Sequence, residues 1–222
     1  MHIMRLSKAI KPRVIILSGY GLNCEDETAF AFETAGAKAD IVHINDVGKL
    51  DQYQILVVPG GFSFGDDTGS GKAFAHKLKA KLGDQLHEFL ARDTLMAGIC
   101  NGFQILTSAG ILPGALTHND SQRYISKWVE IERVGKSAWL EDIEKMQVPI
   151  AHGEGKFIKD GKIDVAFRYV ENPNGSTDDI AGILGYDGRV LGMMPHPERA
   201  QFAWQRGGQG LQLFKNAIRY FK

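Results

Sequence analysis

Apolar positions in the first half of the chain fall into short dense runs, separated by longer stretches with helical spacing. Val14–Ser18 is a β-rich run that ends at Gly19, and Glu25–Gly36 follows with a helical repeat and a glycine stop. Ala39–Ile44 and Gln54–Val58 are two more runs suited to buried strands. A long Lys- and Leu-containing stretch between Gly71 and Arg92 predicts a helix, Leu95–Ile99 a strand, and Asn101–Ala109 another helix. Strands alternating with helices imply a mostly parallel sheet covered on both faces.

The second half changes character. Tyr124–Val134 and Val165–Tyr169 have strand composition, and Ile180–Met194 carries an Asp187-Gly188 turn between two apolar runs, which predicts a hairpin. A helix from about Gly207 to Tyr220 closes the chain. With no repeat or linker-like tract, the expectation is one domain over residues 1–222: a doubly wound, flavodoxin-like α/β fold with an antiparallel excursion in its C-terminal half. Chemistry in such sheets sits at the carboxyl ends of strands, so the places to search follow Val58, Ile99 and Met194.

Composition narrows the function classes. The 222 residues are 44% hydrophobic and 23% charged, with 26 basic against 26 acidic side chains. That balance offers no basic field for nucleic acid. The apolar runs are too short to span a bilayer. The N-terminal MHIMRLSKAIKPR lacks the apolar run of a secretory leader, so the cytoplasm is expected, with Cys24 and Cys100 as free thiols. Neither cysteine lies in a CxxC pair, which leaves structural zinc unsupported.

Two segments carry a Gly-x-nucleophile-x-Gly pattern, in which glycines permit a sharp turn that exposes the central residue. Gly61-Phe62-Ser63-Phe64-Gly65 has loop character on both sides. Gly98-Ile99-Cys100-Asn101-Gly102 has a strand entering and a helix leaving, so Cys100 is the expected nucleophile, at a helix N-terminus that favours thiolate. The glycines of Pro59-Gly60-Gly61 leave backbone N–H groups uncovered. Gly61 and Asn101 are therefore the expected oxyanion donors. Gly65–Lys72 resembles a phosphate loop but has five residues between its outer glycines and Ala73 where Ser or Thr would bind magnesium, so no nucleotide site is expected.

A catalytic thiol requires a base, and a carboxylate usually orients that base. His196 follows the apolar run Val190–Met194 in Met194-Pro195-His196-Pro197-Glu198, where two prolines fix the backbone and Glu198 can meet the imidazole. His152, in Ala151-His152-Gly153-Glu154-Gly155, marks a further site loop, as a second base or a turn. His43, His76, His87 and His118 are expected at the surface, and no metal-binding spacing occurs. Cys24 also begins a predicted helix but lacks the elbow, which argues for a structural role.

The segments GICNGFQ, PGGF and MPHPE resemble the signatures of class I glutamine amidotransferases. Longer stretches, including GLNCEDETAFAFETAG, PGGFSFGDD, PIAHGEGKF and GILGYDGRVLGMMPHPERA, are similar to the subfamily that serves phosphoribosylformylglycinamidine synthases as glutaminase subunits. The resemblance implies that Cys100 attacks the glutamine carboxamide, with His196 shuttling the proton, Glu198 orienting it, Gly61 and Asn101 holding the oxyanion, and Gln104 helping to hold glutamine. It implies no metal or cofactor in this chain. ATP and magnesium would belong to a separate synthetase subunit that takes up the ammonia, and a small third subunit would help assembly. Two departures stand out: Asp67-Thr68-Gly69-Ser70-Gly71 replaces a Tyr-Leu-Arg-Ala-Gly type stretch, and Ser126 stands where relatives often carry cysteine. A same-fold cysteine hydrolase acting on γ-glutamyl or peptide substrates, and a non-catalytic assembly module, are the competing readings.

Overall fold

A computed structural model describes residues 11–66 and 69–222. The N-terminal stretch weighed as a leader falls largely outside these residues, and so do Asp67 and Thr68 of the altered segment. Five strands form a parallel block: β1 (Arg13–Ser18), β2 (Lys38–His43), β3 (Ile55–Val58), β4 (Leu95–Ile99) and a late arrival, β11 (Val190–Met193). Their order is β2-β1-β3-β4-β11, the flavodoxin-like arrangement anticipated from the alternation of elements. β3 and β4 are buried at every position, as strands covered on both faces must be.

Helices α1 (Glu25–Thr34) and α4 (Leu211–Arg219) pack together, with Phe32 and Phe214 meeting edge to face at 5.0 Å. The other pair is α2 (Lys72–Ala91) and α3 (Asn101–Ser108). α1 opens with Glu25, Asp26 and Glu27, three acids where the helix dipole favours them. α2 buries Phe74, Leu78, Leu82, Leu86 and Phe89, one stripe at helical spacing.

Beyond β11 the same sheet continues antiparallel through β10 (Ile180–Gly185), β9 (Asp164–Tyr169), β6 (Ile125–Arg133) and β7 (Lys145–His152), for nine strands in all. A separate two-stranded ribbon pairs β5 (Ala115–Thr117) with β8 (Lys156–Ile158). Neither the ribbon nor β7 is evident from the sequence pattern. β7 carries Pro149 at its middle, which reads as a break, yet β7 is the terminal strand of the sheet and tolerates a residue without an N–H. The last helix starts later than predicted, at Leu211, because Gly207 and Gly208 take left-handed φ values of 100° and 65° and turn the chain first. Among the described residues no helix is long and apolar enough to cross a membrane.

Candidate active site

The parallel strands end on one edge, and register places the predicted groups there together. Ile99 pairs with Met193 and Gly98 with Val58, so the chain leaving β4 lies beside the chain leaving β11 and the chain leaving β3. Cys100 is the first residue past β4. Its backbone takes φ 50° and ψ −108°, a strained conformation for a residue with a side chain, held by its N–H donating to Met193 O at 2.8 Å. Both flanking glycines are obligatory. A Cβ on Gly102 would lie 1.9 Å from Val58 O, and one on Gly98 would lie 2.7 Å from Gly102 O. The elbow is packed directly against β3.

His196 is fixed by its N–H, which donates to Pro149 O at 2.9 Å, and by Pro197, which starts a single 3₁₀ turn through Arg199. That turn brings Glu198 Oε1 to 2.6 Å from His196 Nδ1, with both side chains buried. Nδ1 therefore carries the proton toward the carboxylate. Nε2, which has no hydrogen-bond partner among the described residues, keeps its lone pair free. Burial pushes the His196 pKa down, but the Glu198 carboxylate and the negative charge of a Cys100 thiolate outweigh it and hold the imidazole well above its ordinary value.

Gly61 and Asn101 present two free N–H groups. The loop after β3 is tied to the loop after β1 by Asn23 N–H donating to Gly60 O at 3.0 Å and Phe62 N–H donating to Gly21 O at 2.8 Å. Gly61 lies between those bonds, and its own N–H meets no acceptor among the described residues. The Asn101 N–H is the first of α3 and has no intrahelical partner. Two such donors beside a strained thiol can stabilise a tetrahedral oxyanion.

Cys24 is nearer the chemistry than a structural reading implies. Its Sγ accepts from Arg199 Nη2 at 3.3 Å, and a Cβ on Gly60 would touch both this sulfur and the His196 ring. It occupies no elbow, and burial raises its thiol pKa. Cys24, His196 and Glu198 bring one potential ligand atom each within 4.8 Å of one another. Glu198 Oε1 is already engaged by the imidazole, however, and the Arg199 guanidinium sets a fixed cation against the sulfur. The donor set fits a hydrogen-bonded triad better than a metal. Ser63 is buried in the short turn Ser63–Asp66, with neither a strand entering it directly nor an α-helix leaving it directly.

Gln104 reaches the site with its amide engaged by protein groups: Oε1 accepts from Asn101 Nδ2 at 2.8 Å and Nε2 donates to Glu154 O at 2.7 Å. His152 is buried at the end of β7, and the preceding carbonyl, Ala151 O, lies 3.8 Å from Cys100 Sγ. Its Nδ1 pairs with Asn119 Oδ1 at 3.0 Å, and burial, then the charge of His196, lowers its pKa to about 4. Near neutrality it is unprotonated, and so low a pKa makes it a weak base. His76, His87 and His118 are exposed, and His43 is half-buried. The parts of the site that the sequence pattern does not reveal are Arg199, Asn119 and the side chain of Asn101.

The chain is similar to known glutamine amidotransferases. The family model described as a CobB/CobQ-like glutamine amidotransferase domain matches residues 11–221. The phosphoribosylformylglycinamidine synthase subunit PurQ of Methanococcus maripaludis strain C7 is 42% identical over 267 aligned residues, covering 96% of this chain and 98% of the relative. The corresponding subunit of Thermotoga maritima is 38% identical over 217 residues, covering 96% and 100%. A chain in the solved structure of PurLQS from Thermotoga maritima superposes with a TM-score of 0.88 at 38% identity, again covering 96% and 100%. A glutamine amidotransferase structure from the same organism shares the fold at a TM-score of 0.64 and 16% identity, covering 95% of this chain and 98% of that one.

Proposed function

This chain belongs to the CobB/CobQ-like glutamine amidotransferase family, and from that premise we propose that it is the glutamine-hydrolysing subunit of a phosphoribosylformylglycinamidine synthase in purine biosynthesis. Its nearly full-length likeness to PurQ subunits, and to a chain of a PurLQS assembly, supports a synthetase subunit and a small third subunit as its partners. The observation that carries the chemistry is the buried set of Cys100, His196 and Glu198 at the elbow.

On this reading His196 Nε2 takes the Cys100 proton, and the sulfur attacks the side-chain carbonyl carbon of glutamine. The resulting oxyanion accepts from the Gly61 and Asn101 N–H groups. The imidazolium, held protonated by Glu198, gives its proton to the departing nitrogen, and ammonia leaves a γ-glutamyl thioester on Cys100. Water, deprotonated by the same imidazole, then releases glutamate. Gln104 has one N–H and one lone pair left to steer the substrate. The cycle needs no metal or nucleotide in this chain, so ATP and magnesium act in the synthetase subunit. The setting is cytoplasmic, in keeping with two unpaired thiols.

The test is a glutaminase assay with and without the synthetase and small subunits, read together with amidine formation. Glutamate release that depends on the partners and matches amidine formed supports the proposal. Cleavage of γ-glutamyl peptides, indifferent to the partners, contradicts it.

A further inference from the structure

The two oxyanion donors sit on different loops, one after β3 and one at the start of α3, and one side chain joins those loops. Asn101 Oδ1 accepts from the Ser63 N–H at 3.0 Å, in a buried bond. The same amide donates from Nδ2 to Gln104 Oε1 at 2.8 Å, and Gln104 Nε2 donates to Glu154 O at 2.7 Å. Glu154 Oε2 in turn accepts from the Ser70 N–H at 3.2 Å. The direction of this chain is not arbitrary. Its ends are a backbone N–H at Ser63 and a backbone carbonyl at Glu154, and turning over either amide would set donor against donor or acceptor against acceptor.

We propose that the Asn101 carboxamide is a positioning group that fixes the spacing of the oxyanion hole, by clamping the Gly61–Ser63 segment to the helix that carries the other donor. The proposal rests on the glutaminase reading given above. Asn101 thus has two separable parts: its backbone N–H faces the oxyanion, and its side chain holds the opposite wall in place. On its far side the loop is hydrogen-bonded to the loop after β1, with Phe62 and Phe64 N–H donating to Gly21 O and Tyr20 O and Asn23 and Cys24 N–H donating to Gly60 O. Gly61 itself has no side chain that could anchor it. Oxyanion donors act within a few tenths of an ångström of their ideal distance, so a wall free to drift loses transition-state stabilisation and little ground-state binding. Gln104 and Glu154 keep the Asn101 amide from rotating, and Glu154, bonded through its carbonyl to Gln104 and through its side chain to Ser70, ties the loop at Ser70 to the same network.

The experiment uses the assembled enzyme and the aldehyde analogue of glutamine, glutamate γ-semialdehyde. The Cys100 thiol adds across its carbonyl, forming a carbon–sulfur bond as the carbonyl π bond opens, and the oxygen of the reversible thiohemiacetal occupies the oxyanion hole. Asn101→Ala keeps the backbone donor and removes the clamp. Affinity for the aldehyde and kcat should both fall, by roughly 10-fold or more and toward the roughly 100-fold that complete loss of one oxyanion donor costs. The rate of Cys100 alkylation by iodoacetamide, which needs no oxyanion hole, should stay within about 3-fold. Unchanged aldehyde affinity overturns the clamp, as does a parallel loss of iodoacetamide reactivity, which would mark a general structural role. If the unsubstituted enzyme neither hydrolyses glutamine nor captures the aldehyde, the glutaminase reading itself fails and the clamp goes with it. Amide exchange in the unsubstituted chain provides a test even if the variant does not fold. The Ser63 N–H should exchange at least about 100-fold more slowly than an unstructured amide, and exchange at the unstructured rate contradicts the clamp.

Discussion

Glu198 Oε1 lies 2.6 Å from His196 Nδ1, and because both side chains are buried this contact determines which imidazole nitrogen is left free. Glu198→Gln keeps a hydrogen-bond acceptor and removes the charge. We expect kcat to fall on the order of 10²- to 10⁴-fold with a much smaller change in KM. The sign of the pH effect follows from the raised His196 pKa. A raised pKa contributes stability that is fully present below the unfolded value and is lost as pH rises through the folded one. Denaturant titrations should therefore show the Glu198→Gln variant most destabilised near pH 6, with the gap narrowing toward alkaline pH.

The elbow makes a sharper steric prediction. A methyl at Gly102 would sit 1.9 Å from Val58 O, a backbone atom that cannot swing aside. Gly102→Ala should cost more than about 3 kcal/mol or prevent folding. Gly83, inside α2, has nothing within 4 Å of the same methyl. Gly83→Ala should stabilise the protein by about 0.5–1 kcal/mol through helix propensity and a stiffer unfolded chain. Thermal melts of the two variants decide both points, and equal effects would mean that the elbow is not packed against β3.

His152 predicts acid sensitivity. Its pKa is lowered from an ordinary 6.5 to about 4, mainly by burial, so the unfolded chain binds a proton there that the folded chain does not. Stability from this group is present above pH 6.5 and is lost as pH falls toward 4. Between pH 7.5 and pH 5 the loss amounts to about 2 kcal/mol. His152→Asn should flatten the stability profile by that amount over this interval. A profile unchanged by the substitution would show that His152 titrates normally.

Much of this site could be read from residue order alone, because elbow chemistry is local. Gly98 to Gly102 specify the turn, the preceding apolar run specifies the strand, and two prolines around His196 specify the bend that delivers Glu198. The parallel block was legible for a related reason, since strands buried on both faces appear as unbroken apolar runs such as Ile55–Val58. What could not be read depends on contacts between distant segments. Pro149 suggests a break until β7 is known to be an edge, and Arg199 reaches Cys24 across 175 positions. Asn101 is expected as an oxyanion donor from its place after Cys100, but its side-chain partner lies 38 positions away at Ser63.

The most direct measurement is intact-mass and peptide mapping of the assembled enzyme after treatment with 6-diazo-5-oxo-norleucine, an electrophilic glutamine analogue, in the chain as it stands and in Cys24→Ser and Cys100→Ser variants. A single adduct on Cys100, formed more slowly when glutamine is present, persisting in Cys24→Ser and absent in Cys100→Ser, is the expected result. An adduct on Cys24, or labelling that survives in Cys100→Ser, would contradict the assignment of Cys100 as the nucleophile.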